Sequence, residues 1–307
     1  MLWGIDLGGT KIEGVIVDPG HAHRAAWRAR IPTESARGYD HIIRRVIAVV
    51  ERLEQDSGLR RPAVIGVGTP GAIEPDSGMM KNANTVSLNG RRLAADLSSA
   101  LGIEARLAND ANCFALAEAT LGAARGQPVV LGLIIGTGVG SGIVVDGRVL
   151  HGRHGIAGEW GHNPVCGETA PCYCGRVGCV ETVISGPALE RFYHARTGEP
   201  RTLPDITRRA GAGDAAAVET LGRLTEKFGE AIAAVINILD PDAIVIGGGV
   251  GNIDRLYEPA AREAIRRHLF NPDLRTELLR PTLGDSAGVF GAALLTNVIP
   301  SERQPGA

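Results

Sequence analysis

A chain of 307 residues with 44% hydrophobic and 21% charged side chains reads as a folded soluble protein, and its length favours two lobes over one core. The net charge of −2 offers no basic field for nucleic acid or an anionic membrane. No apolar run is long enough to span a bilayer, since the most hydrophobic piece, 231–250, is interrupted by Asn237, Asp240, Pro241 and Asp242.

The N-terminus goes directly into Leu2-Trp3-Gly4-Ile5-Asp6, a strand and not a leader. Five cysteines, three of them clustered, fit a reducing cytoplasm and metal binding better than a disulfide framework. The segment Gly4 to Asp18 predicts two strands joined at a turn of Gly8, Gly9 and Thr10, with Asp6 at the end of the first. Glycines let backbone N–H groups approach an anion, and a nearby aspartate can hold Mg²⁺ through water; a plain hairpin is the alternative. Tyr39, Ile42, Ile43, Val46, Val49, Val50 and Leu53 keep helical spacing up to Ser57-Gly58. Ala63 to Gly68 is a short buried strand closed by Thr69-Pro70-Gly71, and a polar loop follows around Asn82, Asn84 and Asn89.

The next strand, Ile103 to Ala108, delivers Asn109 and Asp110 to the start of a helix in which Cys113 reads as a small buried hydrophobe. A carboxylate at that junction caps the helix or, where strand ends line a ligand crevice, takes a proton from an attacking hydroxyl. Gly132 to Asp146 then repeats Gly4 to Asp18 with a constant shift of 128 residues, only Asp6 failing to recur, where Ile134 stands. A repeat that size argues for a duplicated α/β unit. Two such glycine turns facing across a cleft would grip a polyphosphate.

From 158 to 181 the sequence gathers His162, Cys172, Cys174 and Cys179 within eighteen residues, flanked by Glu159 and Glu181. Thiolates and an imidazole at this spacing suit a closed, structural tetrahedral Zn²⁺ site, against the alternative of ordinary thiols in a loop. Cys166 competes as a ligand. A stripe of Leu221, Leu224, Phe228, Ile232, Val235, Ile236 and Leu239 predicts a core-facing helix ending before Asp240-Pro241. Ala243 to Gly249 predicts a strand and glycine turn, followed by a helix over about 253–268. Ala287 to Val298 reads as helical and 301–307 as a frayed tail.

Together these residues resemble the ROK family of bacterial sugar kinases, within the actin and hexokinase-like superfamily. The resemblance runs through Asp6-Leu-Gly-Gly-Thr-Lys11, Gly68-Thr-Pro-Gly71, Leu107-Ala-Asn-Asp-Ala-Asn112, Ile135-Gly-Thr-Gly-Val-Gly140, Gly158-Glu-Trp-Gly-His162, the cysteine signature ending at Glu181, and Ile246-Gly-Gly-Gly249. The cysteine signature joined to Gly161-His162 is specific to the family, whereas the glycine turns are shared across the superfamily. The resemblance implies an α/β, two-lobed actin-like ATPase fold, a duplicated ribonuclease H-like unit with an interlobe cleft. Residues 1–120 plus about 287–307 would form the smaller lobe and 121–286 the larger.

It further implies that Asp110 is the general base on a sugar 6-hydroxyl, with Gly71, Asn84, Asn109, Glu159, His162 and Glu181 around the sugar. Asp6, Gly8, Gly9, Thr10, Lys11, Thr137, Gly138, Gly248 and Gly249 would surround Mg²⁺ and ATP, and His162, Cys172, Cys174 and Cys179 would bind Zn²⁺. Lys81-Asn-Ala-Asn84, Leu88-Asn-Gly90 and Gly158 to Pro164 look most like the fructokinase/mannokinase branch, with N-acetylglucosamine kinase and glucokinase as alternatives. The short interval between His162 and Cys172 resembles the glucokinase pattern. Family habit suggests a homodimer. Sugar-responsive repressors of the family carry an N-terminal helix-turn-helix segment, whereas here the phosphate strand begins at Leu2, so an enzyme is expected. An actin-like ATPase that turns over without sugar is the third reading.

Overall fold

The structure is a computed structural model that describes residues 1–18, 20 and 24–297. Val298 and the tail expected to fray lie outside the described residues. The chain opens with β1 (Leu2–Leu7), β2 (Lys11–Val17) and β3 (Ala25–Pro32), then α1 (Tyr39–Ser57) and β4 (Val64–Thr69). A small hairpin of β5 (Ala72–Ile73) and β6 (Met80–Lys81) leads to α2 (Leu93–Leu101), β7 (Glu104–Asn109) and α3 (Asp110–Thr120). There follow β8 (Val129–Ile135), β9 (Val139–Val145), β10 (Arg148–Val149) and the helices α4 (Val180–Ile184), α5 (Gly186–Thr197), α6 (Leu203–Gly211) and α7 (Ala215–Leu239). The chain closes with β11 (Ala243–Gly247), α8 (Gly248–Gly251), α9 (Pro259–Arg266), β12 (Glu277–Leu279) and α10 (Ala287–Leu294).

Two five-stranded sheets share one order, β3-β2-β1-β4-β7 and β10-β9-β8-β11-β12. β1 is antiparallel to β2 and parallel to β4, which is parallel to β7. β11 is likewise parallel to both β8 and β12, and β10 is antiparallel to β9. The shift of 128 residues thus marks a duplicated five-stranded α/β unit, as the sequence repeat implied. The chain separates into two compact units. One holds Met1–Gly126, Gly142–Ala157 and the chain from Thr282 onward, and the other Gln127–Ser141 and Gly158–Pro281.

In the first unit the apolar stripe of α1 buries Ile42, Val46, Val49, Val50 and Leu53, and the helix stops at Gly58 with φ +69°. α1 packs on β2 and β3, and α10 on β1, β4 and α3. The strand alternation separates these layers: Ile5 faces the α1 side with Gly14, while neighbouring Gly4 faces α10. The α10 contact is close because Gly4 and Gly66 are register partners; a methyl on Gly66 would overlap the Ala292 carbonyl.

In the second unit Leu221, Leu224, Phe228, Ile232 and Ile236 of α7 are buried, as the stripe predicted. Gly229 lets α9 approach, since a Cβ there would stand 2.6 Å from the Ala264 backbone. The helix expected over 253–268 is shorter and broken. Residues 254–256 form a 3-10 turn, Glu258 is extended (φ −74°, ψ 161°), and α9 starts at Pro259. Proline disfavours helical backbone at the residue before it and suits the first helical position, which moves the start. Among the described residues no helix is long and apolar enough to cross a membrane.

Candidate active site and metal centre

The residues singled out from sequence divide between the two units. In the first, Asp6, Gly68 and Asn109 stand at the ends of the neighbouring strands β1, β4 and β7. The turn after β1 is closed by Gly8 N–H donating to Lys11 O at 3.0 Å. Its carbonyls are tied back to the β3–α1 connection: Thr33 Oγ1 donates to Gly8 O at 2.6 Å and Ser35 Oγ to Gly9 O at 2.9 Å. Thr33 N–H also donates to Thr10 O at 2.9 Å. Among the described residues the Gly9 and Thr10 N–H groups take no protein acceptor. Outward N–H groups on a turn whose carbonyls are engaged form an anion-binding concavity.

Asp6 is pushed up from the ordinary 3.8 to about 6, first by burial, then by the carboxylates of Asp110 and Glu13, with Lys11 and Arg30 opposing. Glu13 is its register partner on β2 and is 1% exposed, held by Arg30 at 2.7 Å and Arg28 at 3.2 Å. Sequence reasoning passed over Glu13; its one signal was a carboxylate interrupting the apolar run Ile12 to Val17. Cys113 is buried, as expected, and burial followed by the charges of Asp6 and Asp110 raises its thiol.

Asn109 caps α3, its Oδ1 accepting from Ala111 N–H at 2.9 Å. Asp110 Oδ1 accepts from the same N–H at 2.7 Å, and Asp110 itself is exposed. Asn109 and Asp110 thus share the Ala111 N–H in the first turn of α3, with Asn109 at the cap position. Gly71 lies against Ala83, where a Cβ would come within 2.8 Å, and Asn84 N–H donates to Pro70 O at 3.3 Å. The Asn89 amide holds this loop by accepting from Ala83 N–H at 2.9 Å and donating to Ala83 O at 3.1 Å.

In the second unit the turn after β8 carries Thr137 and Gly138, with Gly136 N–H donating to Gly138 O at 2.9 Å. Gly248, at φ +82°, sits at the end of the adjoining parallel strand β11, so close to Ile135 that a Cβ would overlap its carbonyl. Gly249 follows it, exposed. Glu181, in the first turn of α4, reaches the glycine turn: its Oε2 accepts from Val139 N–H at 2.9 Å, and a Cβ on Gly138 would stand 2.6 Å away. The resemblance implied sugar contact for Glu181 and nucleotide contact for Gly138; the fold places the two side by side.

Glu159 is exposed and precedes a 3-10 turn, Trp160–His162. That turn is anchored by Trp160, which is 4% exposed, donates from Nε1 to Ala231 O at 3.2 Å, and meets Phe228 edge-on. The His162, Cys172, Cys174 and Cys179 ligand atoms all lie within 4.8 Å of one another. His162 Nδ1 is 3.6 Å from Cys172 Sγ, and the Cys174 and Cys179 sulfurs are 3.6 Å apart. Ligands on a tetrahedral Zn²⁺ stand about 3.6 Å apart for nitrogen to sulfur and about 3.8 Å for sulfur to sulfur, given the usual bond lengths. The four residues fit that ion. Cys166 is outside this group and exposed, its N–H donating to Glu230 at 3.0 Å.

A sequence model of the ROK family matches residues 2–298. The N-acetyl-D-glucosamine kinase of Pectobacterium atrosepticum is 37% identical over 306 residues, covering 96% of this chain and 98% of that one. The N-acetylgalactosamine kinase AgaK of a Shewanella species is 35% identical over 303 residues and 96% of both chains. Among solved structures, a ROK hexokinase from Thermus thermophilus superimposes with a TM-score of 0.85 at 35% identity, over 95% of this chain and 96% of that one.

Proposed function

The chain belongs to the ROK family and is a sugar kinase, and from that premise we propose that it transfers the terminal phosphoryl group of ATP to the 6-hydroxyl of an N-acetylated hexosamine, N-acetylglucosamine first. The curated relatives reported above are named for N-acetylhexosamines, and they favour this branch over the fructokinase/mannokinase branch to which the 81–90 loop and the Gly158 segment had pointed.

The observation that carries the chemistry is the exposed carboxylate of Asp110 at the start of α3, just past the end of β7, close enough to Asp6 for the two charges to interact. A carboxylate so placed takes the hydroxyl proton as oxygen attacks phosphorus, typically about 10²–10⁴-fold in rate. Gly9 and Thr10 offer N–H groups to phosphate oxygens, and Lys11, Thr137, Gly138, Gly248 and Gly249 complete the nucleotide side. Asp6 would hold Mg²⁺, which would supply charge neutralisation for the phosphates. Glu159, His162 and Glu181, with Gly71, Asn84 and Asn109, hold the sugar hydroxyls. His162, Cys172, Cys174 and Cys179 would hold a structural Zn²⁺, which would fix the His162 ring.

The test is a panel of N-acetylglucosamine, N-acetylgalactosamine, N-acetylmannosamine, glucose, mannose and fructose with Mg-ATP, following ADP release. The highest kcat/KM is expected for an N-acetylated sugar. Fructose or mannose at the top would overturn the sugar assignment, and ADP release indifferent to every sugar would overturn the kinase reading.

A further inference from the structure

We infer that Tyr173 sets the sugar affinity of this site by occupying, in the sugar-free protein, the hydrogen bond on His162 Nε2 that a sugar hydroxyl has to take. The inference rests on the reading of His162 as a sugar-binding residue. Cys172 and Cys174 both contribute to the thiol cluster, and the residue between them carries its side chain outward: Tyr173 is 75% exposed. Its phenol oxygen lies 3.0 Å from His162 Nε2, and the two rings meet edge-on at 86° with centroids 5.2 Å apart.

The direction of that hydrogen bond follows from the other ring nitrogen. Nδ1 faces Cys172 Sγ at 3.6 Å, on the side where the four ligand atoms converge, so the imidazole proton belongs on Nε2 and the phenol oxygen accepts it. Nε2 is then the polar atom of His162 left for an external hydroxyl, and Tyr173 already occupies it. Among the described residues the hydrogen-bond and ring contacts of Tyr173 are with His162. An aromatic ring this exposed is held in place by little else, and it can leave as a hydroxyl arrives.

The exchange alters affinity without altering chemistry. A sugar hydroxyl that replaces the phenol gains one hydrogen bond and breaks another, so the net gain at Nε2 is close to zero. Removing the phenol oxygen while keeping the ring leaves Nε2 to water in the free protein. One such hydrogen bond corresponds to about a five-fold change in a binding constant.

The experiment compares wild type with Tyr173→Phe by calorimetric titration of N-acetylglucosamine, with zinc content by elemental analysis and the Kd of a non-hydrolysable ATP analogue measured alongside. We expect the variant to bind the sugar about five-fold more tightly, with full zinc occupancy and unchanged nucleotide affinity. Sugar binding that is equal to wild type or weaker overturns the inference. A wild-type protein that binds none of the six panel sugars overturns the sugar-site reading, and the inference with it.

Discussion

Asp6 gives the sharpest quantitative prediction. Its carboxyl is pushed from 3.8 to about 6, chiefly by burial and then by Asp110 and Glu13. The folded value lies above the unfolded one, so the fold binds the proton more tightly than the open chain does. The resulting stability is present below about pH 4 and lost as pH rises through 6. A shift of that size corresponds to about 3 kcal/mol between the fully protonated and fully ionised limits. Asparagine keeps the shape of the carboxyl and never ionises. Asp6→Asn, free of nucleotide and Mg²⁺, is therefore expected to be more stable than wild type, by a margin that grows by about 2 kcal/mol between pH 4.5 and pH 8. Urea unfolding of both proteins at the two pH values measures it. Comparing margins removes whatever the amide does to packing, because that effect is the same at both pH values. A margin that stays constant, or shrinks as pH rises, would refute the reasoning. The same variant should lose phosphotransfer, because an amide cannot hold Mg²⁺ as a carboxylate does.

Three further substitutions probe the site. Asp110→Asn is expected to keep N-acetylglucosamine affinity within about three-fold while kcat falls by about 10²–10⁴, read by calorimetry and coupled ADP assay; wild-type turnover would remove Asp110 from its role. Cys174→Ser should lower zinc content, melting temperature and sugar affinity together, because the loop ending at Glu181 loses one of its four ligands. A variant with unchanged KM and Tm would dismiss the clamp. Gly138→Ala should raise KM for both sugar and ATP, since its methyl would press on Glu181 Oε2 at 2.6 Å; a change in one KM alone would argue that the contact is incidental.

What could be read from sequence was whatever a local pattern encodes. The β1–β2 hairpin, the stripes of α1 and α7, the 128-residue repeat and the Cys/His cluster all follow from spacing along the chain. β3 was missed because it is an edge strand whose Arg28 and Arg30 are there to meet Glu13 on the neighbouring strand. α2 was passed over although Leu93, Leu97 and Leu101 keep helical spacing and are buried, and the three-residue β12 is too short to show alternation. The residues that hold the site together were the least legible. Trp160 looks like part of a motif until its ring is seen against Phe228. Glu118 looks like a surface charge on a helix, yet it is fully buried and accepts from the backbone N–H groups of Ala123, Thr282 and Leu283. Its partners lie up to 165 residues away, a separation no window of sequence can reach.

The duplication also explains why the two glycine turns are not equivalent. Both follow the first strand of a five-stranded sheet of the same order, so the backbone arrived at each by the same route. At the first, an acid at the strand end is half-buried beside Glu13, and the Gly9 and Thr10 N–H groups are open, which suits a cation and phosphate together. At the second, Ile134 replaces the acid and cannot hold a cation. There the Val139 N–H is already taken by the Glu181 carboxylate, brought in from the segment that the thiol cluster organises. A carboxylate lodged on a turn repels a phosphate at that point. On the proposed reading, charge handling in phosphoryl transfer would fall chiefly to the first copy, while the second spends one anion-binding N–H on Glu181, the carboxylate proposed to meet the sugar.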